Sequence, residues 1–407
     1  DWREIEGVQY RVKYMTREEG ELYRMEYPSR SRIYVYYDAD GELRKLRWFA
    51  FDETTGSYAP AQTVIENMEY LPMGPLDTAR FGDVAVMTAS YDSSYRLTGL
   101  SDNYFGNILR DETYTWTTRD NLAGVTNNLD ASQNQSFNYT SREKLSDANG
   151  AWGEFDYGYD AVGNRTGLTS LVNGSSALDL YSYPATSNQL QSVALGSGGT
   201  RALTYDAAGN VIYDDRNGQG YGYTYDAANR MSTFAINGVV QAEYEYNFLG
   251  QQVVRRLTQT GETIHSVHDA VGNRIAEYLY DDVAGTSSLI REYVWANNML
   301  VGVFENGQMY FVRTDQIGRP VFATDTTGTK VWEASYLPFG GVQASSGPNP
   351  ELRFPGQWFQ SETGLHQNWM RDYDPTLGRY LQADPLGLVD GASVYGYALQ
   401  NPGRYTD

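Results

Sequence analysis

Along most of the chain apolar and polar positions alternate with a period of two, broken at short intervals by Gly, Asn and Asp. Tyr221-Gly-Tyr-Thr-Tyr225 and Tyr244-Glu-Tyr246 place aromatic rings on one face of an extended strand, where cross-strand stacking stabilises a sheet. Arg32-Ile-Tyr-Val-Tyr-Tyr37 continues into Asp38-Ala-Asp-Gly41-Glu-Leu43, which predicts a strand, a tight turn and a returning strand. One such phrase recurs. Tyr159-Asp-Ala-Val-Gly163-Asn164, Tyr205-Asp-Ala-Ala-Gly209-Asn210, Tyr225-Asp-Ala-Ala-Asn229-Arg230, Tyr246-Asn-Phe-Leu-Gly250-Gln and His268-Asp-Ala-Val-Gly272-Asn273 are copies of a single element. From 205 their starts advance by 20, 21 and 22 residues. Weaker copies begin at Tyr91, Tyr139 and Asp315, and the 46-residue gap between 159 and 205 holds a degraded one around Tyr181-Ser-Tyr183-Pro184.

A period of this length is a repeated supersecondary unit that buries its faces against its neighbours. In each copy Tyr ends the incoming strand, Asp bonds the backbone ahead of it, and Gly or Asn takes the positive-φ position before the chain returns. The predicted fold class is therefore all-β, an array of hairpins.

Composition adds exclusions. Tyr (35) and Gly (41) are abundant and Cys is absent, so there is no disulfide framework, thiol nucleophile or Cys-bearing zinc site. A net charge of −20 argues against a nucleic-acid or anionic-membrane surface. No apolar run approaches the roughly 18 residues that span a bilayer, so no transmembrane segment is expected. The chain opens Asp1-Trp-Arg without Met, as a trimmed piece of a longer protein would.

Candidate chemistry concentrates near the end, in Arg371-Asp-Tyr-Asp374-Pro375 and Arg379-Tyr-Leu-Gln-Ala-Asp384-Pro385-Leu-Gly387, with a further acid at Asp407. Two carboxylates held together can share one proton and activate water against a peptide carbonyl, which makes Asp384 and Asp407 candidates for a dyad. Asp-Pro also opens ordinary β-turns, and the residues alone leave that reading open. Arg379 and Arg371 are candidates to hold a carboxylate or the developing oxyanion. Elsewhere, Asp38-x-Asp40-Gly41 begins like a calcium loop but lacks its later ligands, and His265-x-x-His268 lies in strand-like sequence without companion ligands. Gly196-Ser-Gly-Gly-Thr200 lacks the Lys of a phosphate cradle, and no Ser has a G-x-S-x-G setting. Neither cofactor nor metal is expected.

The Y-D-x-x-G-N/R units resemble the YD repeats of the Rhs (rearrangement hot spot) family, which is related to Tc toxin C components and to the YD shells of teneurins. Leu352-Arg-Phe-Pro-Gly-Gln357-Trp-Phe-Gln-Ser-Glu-Thr-Gly-Leu365 and Tyr373-Asp-Pro-Thr-Leu-Gly-Arg-Tyr380 are similar to the Rhs-associated core domain. That resemblance implies a long sheet coiled into a hollow shell, a β-cocoon. Residues 1–34 would start this fragment of it, 35–345 form the YD-repeat shell and 346–407 the core domain that closes one end. It further implies an enclosed C-terminal toxin as cargo, freed from the chain by aspartic self-cleavage just after residue 407. Asp384-Pro-Leu-Gly387 matches the first D-P-x-G motif of such cores, and Asp407 stands where a second would begin, 23 residues on. Implied partners are the toxin, the N-terminal part of the same precursor or a second shell component, and a secretion spike or translocation subunit; the implied setting is a secreted bacterial effector. The rival expectation is a teneurin-like or wall-associated adhesion protein whose aromatic hairpins contact carbohydrate, without cleavage.

Overall fold

A computed structural model describes residues 2–72, 74–83, 85–347, 350–389 and 391–406. Antiparallel strands joined by tight turns make up both of its compact units, and the YD phrase accounts for their regularity. In the copy at 160 the Asp160 amide donates to the Asn164 carbonyl, and the Asp160 carboxylate accepts from the amides of Val162 and Asn164. Gly163 takes φ +92°, a conformation in which a Cβ would be strained. The fifth residue then donates back to the Asp: Asn164 to Asp160, Asn210 to Asp206 and Arg230 to Asp226.

The structure adds a role for the Tyr. Its ring is half-buried between strands, and its hydroxyl donates to the carbonyl at, or just before, the start of the preceding strand. The pairs are Tyr139 to Leu122, Tyr159 to Leu145, Tyr205 to Leu190 and Tyr225 to Val211, at 2.6 to 3.0 Å. A Phe would fill the same space and leave a buried carbonyl unpaired, at about 1 kcal/mol or more. Tyr183 makes the same bond to Arg165 although Pro184 replaces the Asp, so the degraded copy in the 46-residue gap keeps its tie.

The first unit comprises Asp1–Thr113, Glu262–Ala334 and Ser345–Pro350. Its strands pair with sequence neighbours, for example Ala85–Tyr91 with Leu97–Tyr104 and Glu262–His268 with Arg274–Asp281. Trp48, stacked edge-on against Tyr27 and tilted against Phe304, lies in its core. Buried Asp102 accepts from both Arg110 and Arg313, and the Arg313 guanidinium lies 3.7 Å from the Phe81 ring. Asp38 caps the turn at 38–42 through the amides of Asp40 and Glu42. His265 directs its two ring nitrogens to Tyr10 and Glu6.

The second unit comprises Tyr114–Gly261, Ser335–Ala344 and Glu351–Asp407. Its meander runs from Leu122–Asn127 to Gln252–Leu257, and a separate four-stranded sheet follows, Trp358–Gln360, Leu365–Asn368, Arg371–Asp374 and Arg379–Tyr380. The two share a core in which Leu365, Leu377 and Leu381 pack among Tyr223, Phe234 and Tyr244 of the repeats. Two ionic ties supplement it. Arg201 bridges Asp214 and Asp374, all three buried, and Arg255 pairs with Glu362, which also accepts from Tyr244 at 2.6 Å.

A dyad of Asp384 and Asp407 requires the tail at 388–406 to fold back, as returning strands would bring it. Among its described residues it instead has one bridge, Arg379 to Gly396, and one 3-10 turn, Ala398–Gln400. Its polar groups are engaged with the YD turns. Tyr395 donates to Gly209, Ser393 to Asn164, and Asn401 to Asn121 and to the Glu143 carbonyl, while Arg404 reaches Arg119, Asn121 and Glu143. The tail is thus laid across successive turns of the array.

Candidate active site

Asp384 opens a tight turn. Its Oδ1 accepts from the Leu386 amide at 2.8 Å, its carbonyl accepts from Gly387 at 3.0 Å, and Gly387 takes φ +74°. The turn is anchored by the Asp384 amide, which donates to the Val394 carbonyl at 2.8 Å. The turn reading is therefore correct as far as it goes, but it engages only one carboxylate oxygen. The other, Oδ2, lies 2.8 Å from Arg371 Nη1, and the Arg371 guanidinium in turn lies 3.8 Å from the Tyr380 ring. Both charged side chains are about nine-tenths shielded, 12% exposed for Arg371 and 11% for Asp384, so their attraction is screened far less than at an open surface.

Asp384 lines a cleft of about 560 Å³. One wall is the turn at 384–387 and the tail, including Ser393 and Leu399; the other is the edge of the repeats, Lys144, Val162 and Gly163. Thr406 lies on the same cleft, so the tail returns to the neighbourhood of Asp384. Asp407 lies outside the described residues. The cleft is polar at Asp384 and Lys144 and apolar at Val162, Val389 and Leu399, dimensions and lining suited to an extended peptide segment.

Arg379 is placed elsewhere. It donates to the Tyr183 hydroxyl at 3.1 Å and the Asn188 carbonyl at 2.6 Å, and it stacks on Tyr395, fastening the small sheet and the tail to the array. Arg371 and Arg379 were equivalent candidates by sequence; the fold gives only Arg371 an ion pair with Asp384.

Two further acids of the same small sheet were not singled out from the sequence. Asp374, in the other Asp-Pro turn, accepts from Thr376 and Leu377 and from Arg201; although its burial opposes ionisation, Arg201 and Arg216 hold it below the usual carboxylate range. Asp372 is fully buried, and burial raises its pKa to about 7 despite a 2.6 Å hydrogen bond from Gln382; Glu362 pushes the same way as burial. Its signal was the alternation Asp372-Tyr-Asp374 in a strand, which sets both acids on one face, but not the depth of that face.

The comparisons with known proteins agree with this architecture. A family model described as the teneurin YD-shell matches residues 82–392. The probable deoxyribonuclease RhsA of Dickeya dadantii is 28% identical over 395 residues, covering 89% of this chain and 27% of the relative. Double-stranded DNA deaminase toxin A of Burkholderia cenocepacia is 26% identical over 315 residues, covering 62% of this chain and 22% of that toxin. Among solved structures, the crystal structure of TcdB2-TccC3 superposes with a TM-score of 0.69 at 17% identity, covering 98% of this chain and 22% of that one. The chain thus spans about a quarter of the length of these relatives. With three quarters of its residues matched by the family model, with Asp-capped, Tyr-tied hairpins throughout and with the fold of the TccC3 structure, the chain belongs to the teneurin YD-shell family, the Rhs/YD-repeat proteins.

Proposed function

We propose that this chain is part of the shell of an Rhs-type polymorphic toxin, that the shell encloses a C-terminal toxin, and that the cargo is cut from the chain by aspartic self-cleavage just after residue 407. The observation that carries this reading is the cleft itself: Asp384 is held by Arg371 on a wall to which the chain's own tail returns at Thr406. An intramolecular substrate needs no affinity of its own, because the fold delivers it at high effective concentration.

In this reading Asp384, paired with Arg371, takes a proton from water as its oxygen attacks the scissile carbonyl. The partner carboxyl, assigned to Asp407, is protonated and donates to the carbonyl oxygen. Collapse breaks the C–N bond, and the leaving nitrogen takes that proton. Because no turnover follows, the activity is that of a single-use peptidase.

The shell's partners follow from the same reading: the enclosed toxin, the remainder of the precursor or a complementary shell component such as TcdB2 provides in the TccC3 crystal structure, and a secretion spike or translocation subunit for export from the producing bacterium. The test is expression of a precursor extended beyond residue 407. Wild-type chain should split on a denaturing gel and Asp384→Asn should remain whole. An uncut wild-type precursor that adheres to glycans would favour the adhesion role instead.

A further inference from the structure

The fifth position of the YD turn has a regular duty, and in two copies it is released from it. Asn164, Asn210, Arg230, Arg96 and Arg319 each donate to the Asp of their own turn. In the turns at 117–121 and 140–144 the Asp is replaced by Thr, whose hydroxyl accepts from the backbone amides and presents no carboxylate. Asn121 is accordingly turned to the core-domain tail, where it accepts from Asn401 and Arg404. Lys144 is the fifth residue of the second Thr turn, and its ammonium has no hydrogen-bond acceptor among the described residues.

The position of that ammonium is defined by its neighbours. A Cβ on Gly163 would lie 2.5 Å from Lys144 Nζ, so the glycine of the next turn is what admits the side chain. From there Lys144 forms the wall of the Asp384 cleft contributed by the array. The charged and titratable groups around it are Arg142 on its own turn, Asp160 on the adjacent turn, and Asp384 and Tyr405 across the cleft. Glu143 is turned away, toward Arg404 and Arg119.

We propose that Lys144, supplied by the repeat array, is a third catalytic residue of the cleavage site, its ammonium donating to the carbonyl oxygen of the peptide that is cut. The inference rests on the self-cleavage reading above. As water oxygen bonds to the carbonyl carbon and its proton passes to Asp384, negative charge moves onto the carbonyl oxygen, where a fixed cation in a shielded cleft stabilises it. Lys144 keeps its protons throughout; the C–N bond breaks, the acyl half gains the hydroxyl of the water, and the leaving nitrogen takes its proton from the partner carboxyl. One consequence is that a core domain detached from its YD turns would lack part of its own active site.

Burial, with Arg142 adding to it, lowers the Lys144 pKa, partly opposed by Asp160. A required ammonium makes cleavage fast below that pKa and slow as the pH rises through it.

The experiment follows self-cleavage of the extended precursor, refolded or translated in vitro, by gel densitometry across pH, for wild type, Lys144→Met, Lys144→Arg and Asp384→Asn. The expected result is a wild-type rate that falls on the alkaline side, and a Lys144→Met rate lower by about 10²-fold whose alkaline fall is absent. Lys144→Arg should cleave faster than Lys144→Met and hold its rate to higher pH, since a guanidinium stays charged. Unchanged melting temperatures are expected, because the ammonium has no hydrogen-bond acceptor among the described residues. If wild type cleaves, Asp384→Asn does not, and Lys144→Met matches wild type in rate and pH profile, the role of Lys144 is overturned while the cleavage reading stands. If wild type does not cleave, both fall.

Discussion

Asp374-Pro375 and Asp384-Pro385 are the same dipeptide ten residues apart in one short stretch of chain, and the fold puts them to opposite uses. Each opens a turn with one carboxylate oxygen accepting a backbone amide. Asp374 then meets Arg201 from a repeat strand and is sealed in the interface between core sheet and array. Asp384 meets Arg371 from its own sheet and stays at the wall of a cleft. Turn chemistry made the two alike; what differs is the second partner of each carboxylate and its access to water. The first is a fastener, the second a candidate for chemistry.

The largest effect that should separate them is on stability. Asp374→Asn leaves the Arg201 charge with a weakened partner in a buried setting and is expected to destabilise the protein by about 3–5 kcal/mol, whereas Asp384→Asn should cost about 1 kcal/mol or less. Urea unfolding of uncut chains measures both, and equal losses would break the comparison. The dependence on pH has its own signature. Asp374 is depressed on folding, so its stabilisation is present above the unfolded carboxylate pKa and is lost as pH falls through the lower folded value. Asp372 behaves oppositely: raised to about 7, it retains its proton when folded while the unfolded chain has lost it, so stability falls as pH rises from about 4 to 7. Asp372→Asn should remove that slope, which is at most ~1.4 kcal/mol per pH unit, in melts recorded at pH 5 and pH 8.

A smaller effect sharpens the assignment of Arg371. Arg371→Gln should slow cleavage about 10²-fold with little change in midpoint of unfolding, and Arg379→Gln should do the reverse, because its bonds run to Tyr183 and Asn188. Smallest of all, Tyr225→Phe should lower stability by about 1 kcal/mol through the lost bond to Val211 and leave cleavage untouched.

What could be read from the chain followed the range of the interactions. The hairpin array was legible because each YD turn is closed by residues within five positions, as in Asp160 to Asn164. Even the degraded copy at Tyr183 declared itself by position. The Tyr tie back to the start of the preceding strand was not legible, since it appears only once the two strands are in register. The burial of Asp374 against Arg201 was not legible, because Arg201 is remote in sequence and nothing in the local pattern announces its arrival. The tail misled for a related reason. Ser393-Val-Tyr395-Gly-Tyr397 alternates like a strand, but its side chains are drawn to the turns of the array and the backbone follows them. Lys144 carried a readable signal, the replacement of Asp by Thr140, whose meaning depended on the cleft beyond it.

The most direct test of the central claim is the intact mass of a precursor that continues past residue 407, expressed as wild type, Asp384→Asn and Asp374→Asn. Wild type is expected to yield two masses summing to the precursor plus one water, with the break just after residue 407. Asp384→Asn should give one uncut mass from a chain that unfolds cooperatively, and whatever fraction of Asp374→Asn folds should be cut. Two fragments from Asp384→Asn at the wild-type rate would contradict the claim.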